Sequence, residues 1–187
     1  MTLLLPHRWE HALVAATVKA ANDGFPNCTL GRTAIQKLLY FMKVLGVPMR
    51  YDFDMHHFGP FCSDVASDVE WLLADDVILD QSGKESSSNY KPGQNADELR
   101  CQFSDRLDQH LSTIQNVCNA LSDMSPRSLE LISTIDFSYR WVKARGGNGP
   151  WKPHVVEKFK QIKKEKFREE EIEKWYGVLV EATLIEA

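Results

Sequence analysis

Arg32-Thr33-Ala34-Ile35-Gln36-Lys37-Leu38-Leu39-Tyr40-Phe41-Met42-Lys43-Val44-Leu45 sets Ile35, Leu38, Leu39, Met42 and Leu45 on one wide apolar stripe. That spacing is the period of a helix buried along one face. Gly46 and then Pro48 stop it. Upstream, Trp9, Leu13, Ala16 and Ala20 recur at the same period and Pro6 suits a first helical turn, which predicts a helix over roughly Pro6 to Asn22, ended by Asp23-Gly24. Downstream, Tyr51, Phe53 and Met55 alternate with Asp52, Asp54 and His56, the pattern of a half-buried strand running into Phe58-Gly59-Pro60-Phe61. Ser63 to Asp75 return to the helical period: Val65, Val69, Leu72 and Leu73 face the core, with Asp64, Asp68, Glu70 and Asp75 outside or near the ends. Val77-Ile78-Leu79 starts a strand that pairs with Asn89-Tyr90-Lys91 across the polar tip Gln81 to Ser88. Three helices followed by a hairpin predict a winged-helix-like core.

The second half reads as helical. Leu107, Leu111, Ile114, Val117 or Cys118, and Leu121 mark a helix over Ser104 to Leu121. Ser125 as N-cap and Pro126 in the first turn open the next, which continues through Leu129, Ile132, Ile135, Tyr139 and Val142 until Gly146-Gly147-Asn148-Gly149-Pro150 breaks it. Val155, Phe159 and Ile162, then Ile172, Trp175 or Tyr176 and Leu179, define two short helices joined by Lys166-Phe167-Arg168. The expected fold class is mostly α (α+β): a helical bundle with a winged-helix-like core over residues 1–100, a small β-hairpin, and a helical C-terminal half over 101–187 packed on that core.

With 187 residues, 43% hydrophobic and 26% charged, the chain can bury a core and is neither disordered nor a multidomain machine. The four cysteines, Cys28, Cys62, Cys101 and Cys118, form no C-x-x-C pair, so reduced, buried thiols are expected. No apolar run reaches the roughly 18 residues of a membrane span. The segment Met1 to Pro6 is too short for a signal-peptide core, which points to the cytoplasm.

A formal net charge of -4 conceals a division. Between Tyr51 and Gly83 there is no Lys or Arg, while Asp52, Asp54, Asp64, Asp68, Glu70, Asp75, Asp76 and Asp80 all fall there. A third helix this acidic would meet phosphates without compensation in a DNA groove. It reads either as a solvated face or as a docking surface for a basic partner. Near the C-terminus Lys152, Lys158, Lys160, Lys163, Lys164, Lys166 and Arg168 interleave with glutamates, as in a solvated helix pair supported by i,i+4 contacts.

His7-Arg8-Trp9-Glu10-His11 matches H-x-x-E-H, in which two histidines one turn apart hold zinc and the glutamate polarises water. No third ligand is picked out, so no metal, cofactor or catalytic residue is assigned. Trp9 and Leu13 are expected inside, with His7, Arg8 and His11 on or near the surface. His56-His57 beside Asp54 read as structural histidines, and Gly146 to Pro150 as a turn rather than a phosphate loop.

Gln36-Lys37-Leu38-Leu39-Tyr40-Phe41, followed after a short strand by Phe58-Gly59-Pro60, resembles the Panacea antitoxin-like domains and the related YwgA-like bacterial proteins. The likeness covers about Gly31 to Asp80, with a weaker echo in Leu129 to Ile135 and in Lys166 to Ile172. Arg168 stands where that pattern has a Ser-type N-cap. The resemblance implies a non-enzymatic protein-binding module, antitoxin-like, that neutralises or regulates a protein partner by direct contact in a mobile-element or defence context. The partner-binding residues expected are Asp64, Asp68, Lys37, Tyr40, Phe58, Gly59 and Pro60, facing a basic toxin or effector; Lys37 and Tyr40, three apart on the helix, read alternatively as a polar cluster that seals the fold against the Phe58-Gly59-Pro60 turn. The alternative is a DNA-binding regulator using Arg32, Lys37, Lys43 and the C-terminal lysines.

Overall fold

The computed structural model describes residues 3–83, 87–146 and 149–187. Among them lie eight helices, α1 (Trp9–Gly24), α2 (Arg32–Val44), α3 (Ser63–Ala74), α4 (Ala96–Gln102), α5 (Ser104–Leu121), α6 (Pro126–Ala144), α7 (Trp151–Lys163) and α8 (Glu169–Glu181). Two short hairpins pair β1 (Asp54–His56) with β2 (Gly59–Phe61) and β3 (Ile78–Asp80) with β4 (Tyr90–Pro92). The fold is α+β and mostly helical. No described helix is long and apolar enough to cross a membrane.

The chain forms two compact units, one from residues 1–54 and 61–124, the other from 55–60 and 125–187. In the first, α1 is the central element. Its residues Trp9 to Thr17 and Val18 are buried almost without interruption, because Ala12, Ala15 and Ala16 let neighbours approach on every side. Leu13, Val14, Ile35, Leu38, Leu39, Leu72, Ile78 and Tyr90 complete the core at near-zero exposure. The helix begins at Trp9 rather than Pro6, since the preceding arm is extended and tied down: the N–H groups of Leu4 and Leu5 donate to the Asp75 carboxylate. Residues 51–56 alternate buried and exposed as expected, although only 54–56 join a ladder.

The β3–β4 hairpin pairs Ile78 with Pro92 and Asp80 with Tyr90, antiparallel. Asp80 closes it by accepting from the N–H groups of Ser82 and Asn89. Residues 84–86 of the expected polar tip lie outside the described residues, as do Gly147 and Asn148 of the glycine-rich turn. Below the hairpin, Asp76 adopts φ 51° and the backbone passes so close to Gly93 that a Cβ there would sit 2.0 Å from the Asp76 carbonyl oxygen. The turn α4, with only Ala96 and Leu99 buried, is too short to show a helical period in the sequence. It also leaves Cys101 exposed, against the expectation that all four thiols are buried.

The second unit packs α6, α7 and α8 around Ile135, Tyr139, Val155, Phe159, Phe167, Ile172 and Tyr176. Ser125 caps α6 by accepting from the Ser128 N–H, with Pro126 in the first turn. At α8, Glu171 accepts from the N–H of the N-cap residue Arg168, so the helix starts at Glu169 without a serine cap. The charges pair both between helices, Lys160 with Glu169, Lys152 with Glu173 and Arg127 with Glu171, and along the start of α8, Arg168 with Glu171.

Candidate functional site: two buried ionic networks and two exposed aromatics

In the first unit the H-x-x-E-H stretch lies against α3. The His7 and His11 rings are 1% and 3% exposed, not on the surface as expected, because His11 faces Asp68 of α3 and His7 faces Asp75, the residue that caps its C-terminus. His7 Nε2 lies 2.7 Å from Asp75 Oδ2, His11 Nε2 lies 3.3 Å from Asp68 Oδ1, and the two Nδ1 atoms are 3.1 Å apart. The sequence placed Asp68 and Asp75 outward, but seven residues separate them, two helical turns, so they fall on one face opposite two histidines one turn apart. Both Nε2 atoms thus face carboxylates and the two Nδ1 atoms face each other, with His11 Nε2 close to Asp68 but without a hydrogen-bond partner of good geometry.

Asp68 also accepts from Arg8 Nη2 at 2.7 Å and from the Tyr51 hydroxyl at 2.7 Å. Burial pushes its carboxyl up, and the contacts from His11, Tyr51 and Arg8 outweigh this, holding it below the usual carboxylate range. For Asp75 the same opposition, burial against bonds from His7, Leu4 and Leu5, also ends below the ordinary value. The Tyr51 hydroxyl is pushed up by burial and by its bond to Asp68. Glu10, which would polarise water in a zinc site, instead accepts from the Arg50 N–H at 3.1 Å. No group of three histidine, cysteine or acidic side chains arranged to hold a metal ion occurs among the described residues.

In the second unit the Lys163 ammonium, 4% exposed, lies 2.9 Å from Glu130, also 4% exposed, and donates to the His57 carbonyl at 2.6 Å. Lys166 donates to both oxygens of Glu130 at 2.8 Å. Burial raises the Glu130 carboxyl, but the bonds from Lys166 and Lys163 bring it below its ordinary value; burial lowers Lys163 despite Glu130. The pair thus clamps the His57-Phe58 turn between β1 and β2. Sequence reading missed this clamp; its one signal was lysine at 163, where the α7 stripe calls for an apolar residue.

The expected partner-binding residues separate. Asp64 is exposed on α3, whereas Asp68 is 4% exposed and engaged, so it offers no free charge to a partner. Lys37 and Tyr40 are buried in α2, Tyr40 edge-on to Phe41 and Phe53. Lys37 therefore presents no ammonium to a phosphate, and Lys43 and Arg32 are held by Asp52 and Tyr90. Neighbouring Gln36 makes a reciprocal pair of 2.9 Å bonds with the Cys62 backbone. Gly59 and Pro60 are buried, with Gly59 at φ 90°, while Phe58 at the turn is 57% exposed. A second exposed aromatic, Trp71, 40% exposed, lies on the outward face of α3 with Asp64 and Ser67 at helical spacing.

No protein-family model matches the chain. Among curated proteins, the uncharacterized protein YwgA of Bacillus subtilis (strain 168) is 24% identical over 106 residues. The match takes in 57% of this chain and 63% of that relative, less than two thirds of its length. The chain is therefore similar, at a distance, to YwgA.

Proposed function

We propose that the chain is a cytoplasmic, non-enzymatic interaction module of the antitoxin-like kind, neutralising or regulating a basic protein partner through the outward face of α3. One observation carries the reading: Trp71 is exposed beside Asp64 and Glu70, neither of which has an ion-pair partner within 4.0 Å among the described residues. An exposed tryptophan on a formed helix costs little side-chain entropy to bury, and unpaired carboxylates around it steer a basic surface. The likeness of the Gln36 to Phe41 and Phe58 to Pro60 motifs to Panacea domains supports the same reading.

The test is co-expression with the products of neighbouring genes and purification on a tag carried by this chain. A basic protein should co-purify, and Asp64→Lys with Glu70→Lys should release it, as should Trp71→Ala. Asp68→Lys is unsuitable as a probe because it would break the buried network. Absence of any co-purifying neighbour, or retention by the charge-reversed variant, defeats the proposal.

A further inference from the structure

The Phe58 turn belongs to the second unit, and its construction calls for an explanation separate from the α3 face. A buried Lys-Glu pair adds little to stability compared with apolar residues of similar volume. Here the Lys163 ammonium, paired with Glu130, is turned on the His56 carbonyl at the end of β1 and the His57 carbonyl in the two-residue turn, and its effect is to fix that turn in place. The side chain so oriented is an exposed phenylalanine, braced edge-on by the His57 ring at 4.7 Å. Lys166 stands 5.0 Å from the Phe58 ring centroid and 5.9 Å from that of Phe167, and Arg127 stands 4.5 Å from Phe167. In this cluster four cations, Arg127, Lys163, Lys166 and Arg168, share two carboxylates, Glu130 and Glu171. The exposed Glu165 and Glu170 take no part in these pairs.

We infer that the Phe58 turn is a preorganised docking point for an acidic polypeptide segment of a partner, one that lays an apolar side chain on the Phe58 ring and carboxylates over Lys166 and Arg127. An aromatic anchor whose backbone is already fixed loses little freedom on binding. The exposed parts of the Lys166 and Arg127 side chains, 37% and 53% accessible, select the sign of the partner. This surface is opposite in sign to the α3 face and does not depend on it.

Selection of a displayed random-peptide library on the full chain tests the inference. Enriched peptides should be acidic with an aromatic or aliphatic anchor. The strongest, synthesised and measured by fluorescence anisotropy, should bind more weakly at high salt and lose about tenfold or more in affinity with Phe58→Ala. Phe58→Trp should retain binding, Lys166→Gln should weaken it and flatten its salt dependence, and Lys19→Gln in the other unit should leave it unchanged. Thermal melts identify any variant that has unfolded, in which case the Trp and Gln variants decide. Failure to enrich peptides, enrichment without acidic bias, or equal binding to folded Phe58→Ala overturns the inference.

Discussion

Asp68 shows how one carboxylate can be read wrongly from its neighbours in sequence and rightly from its neighbours in space. It lies in a lysine-free acidic run, yet it is the point where Arg8, His11 and Tyr51 meet. Asp68→Ala leaves the His11 ring and the Tyr51 hydroxyl buried without their acceptor, and should cost about 3 kcal/mol in urea unfolding. Tyr51→Phe, which deletes one donor to it, should cost about 1 kcal/mol. Because the Asp68, Asp75 and Glu130 carboxyls are lowered in the folded state, the unfolded chain takes up protons first as the pH falls. Their stabilisation is therefore complete above the ordinary carboxylate value near ~4 and is lost as pH drops through the lowered folded values. Acid titration followed by circular dichroism should show this fall, and Asp68→Asn should make it shallower.

At the level of elements, the tightest constraint is Gly93. A methyl group there collides with the Asp76 backbone, which cannot swing away as a side chain could. Gly93→Ala should lower stability by about 2 kcal/mol or more, seen as a lower melting temperature. Ser125→Ala, which removes the α6 cap, should cost about 1 kcal/mol. The helices legible in the sequence were those with one apolar stripe or a marked start: α2, α3, α5, α7, α8 and, through Ser125-Pro126, α6. The start of α1 was misplaced because Asp75, distant in sequence, holds the preceding arm extended. The short α4 was invisible because two buried residues make no period. Of the candidate site, Phe58, Gly59 and Pro60 were legible as a motif. The burial of His7 and His11 was not, since an imidazole side chain reveals its partner only once the elements are packed.

For the whole molecule, the -4 net charge is divided between the acidic face of α3 and a second unit in which Arg127, Lys163, Lys166 and Arg168 share Glu130 and Glu171. Binding at the α3 face should weaken steeply with added salt when co-purification is repeated at rising ionic strength, since its carboxylates are exposed and screened. The division also bears on how the polypeptide is made. The second unit takes in residues 55–60, and Lys163 lies 106 positions after the His57 carbonyl it holds. At ribosomal rates that interval lasts roughly 5–20 s. Throughout it the nascent chain carries an unclamped Phe58, so its client for a chaperone, or its hazard for aggregation, is a six-residue loop waiting for a distant lysine.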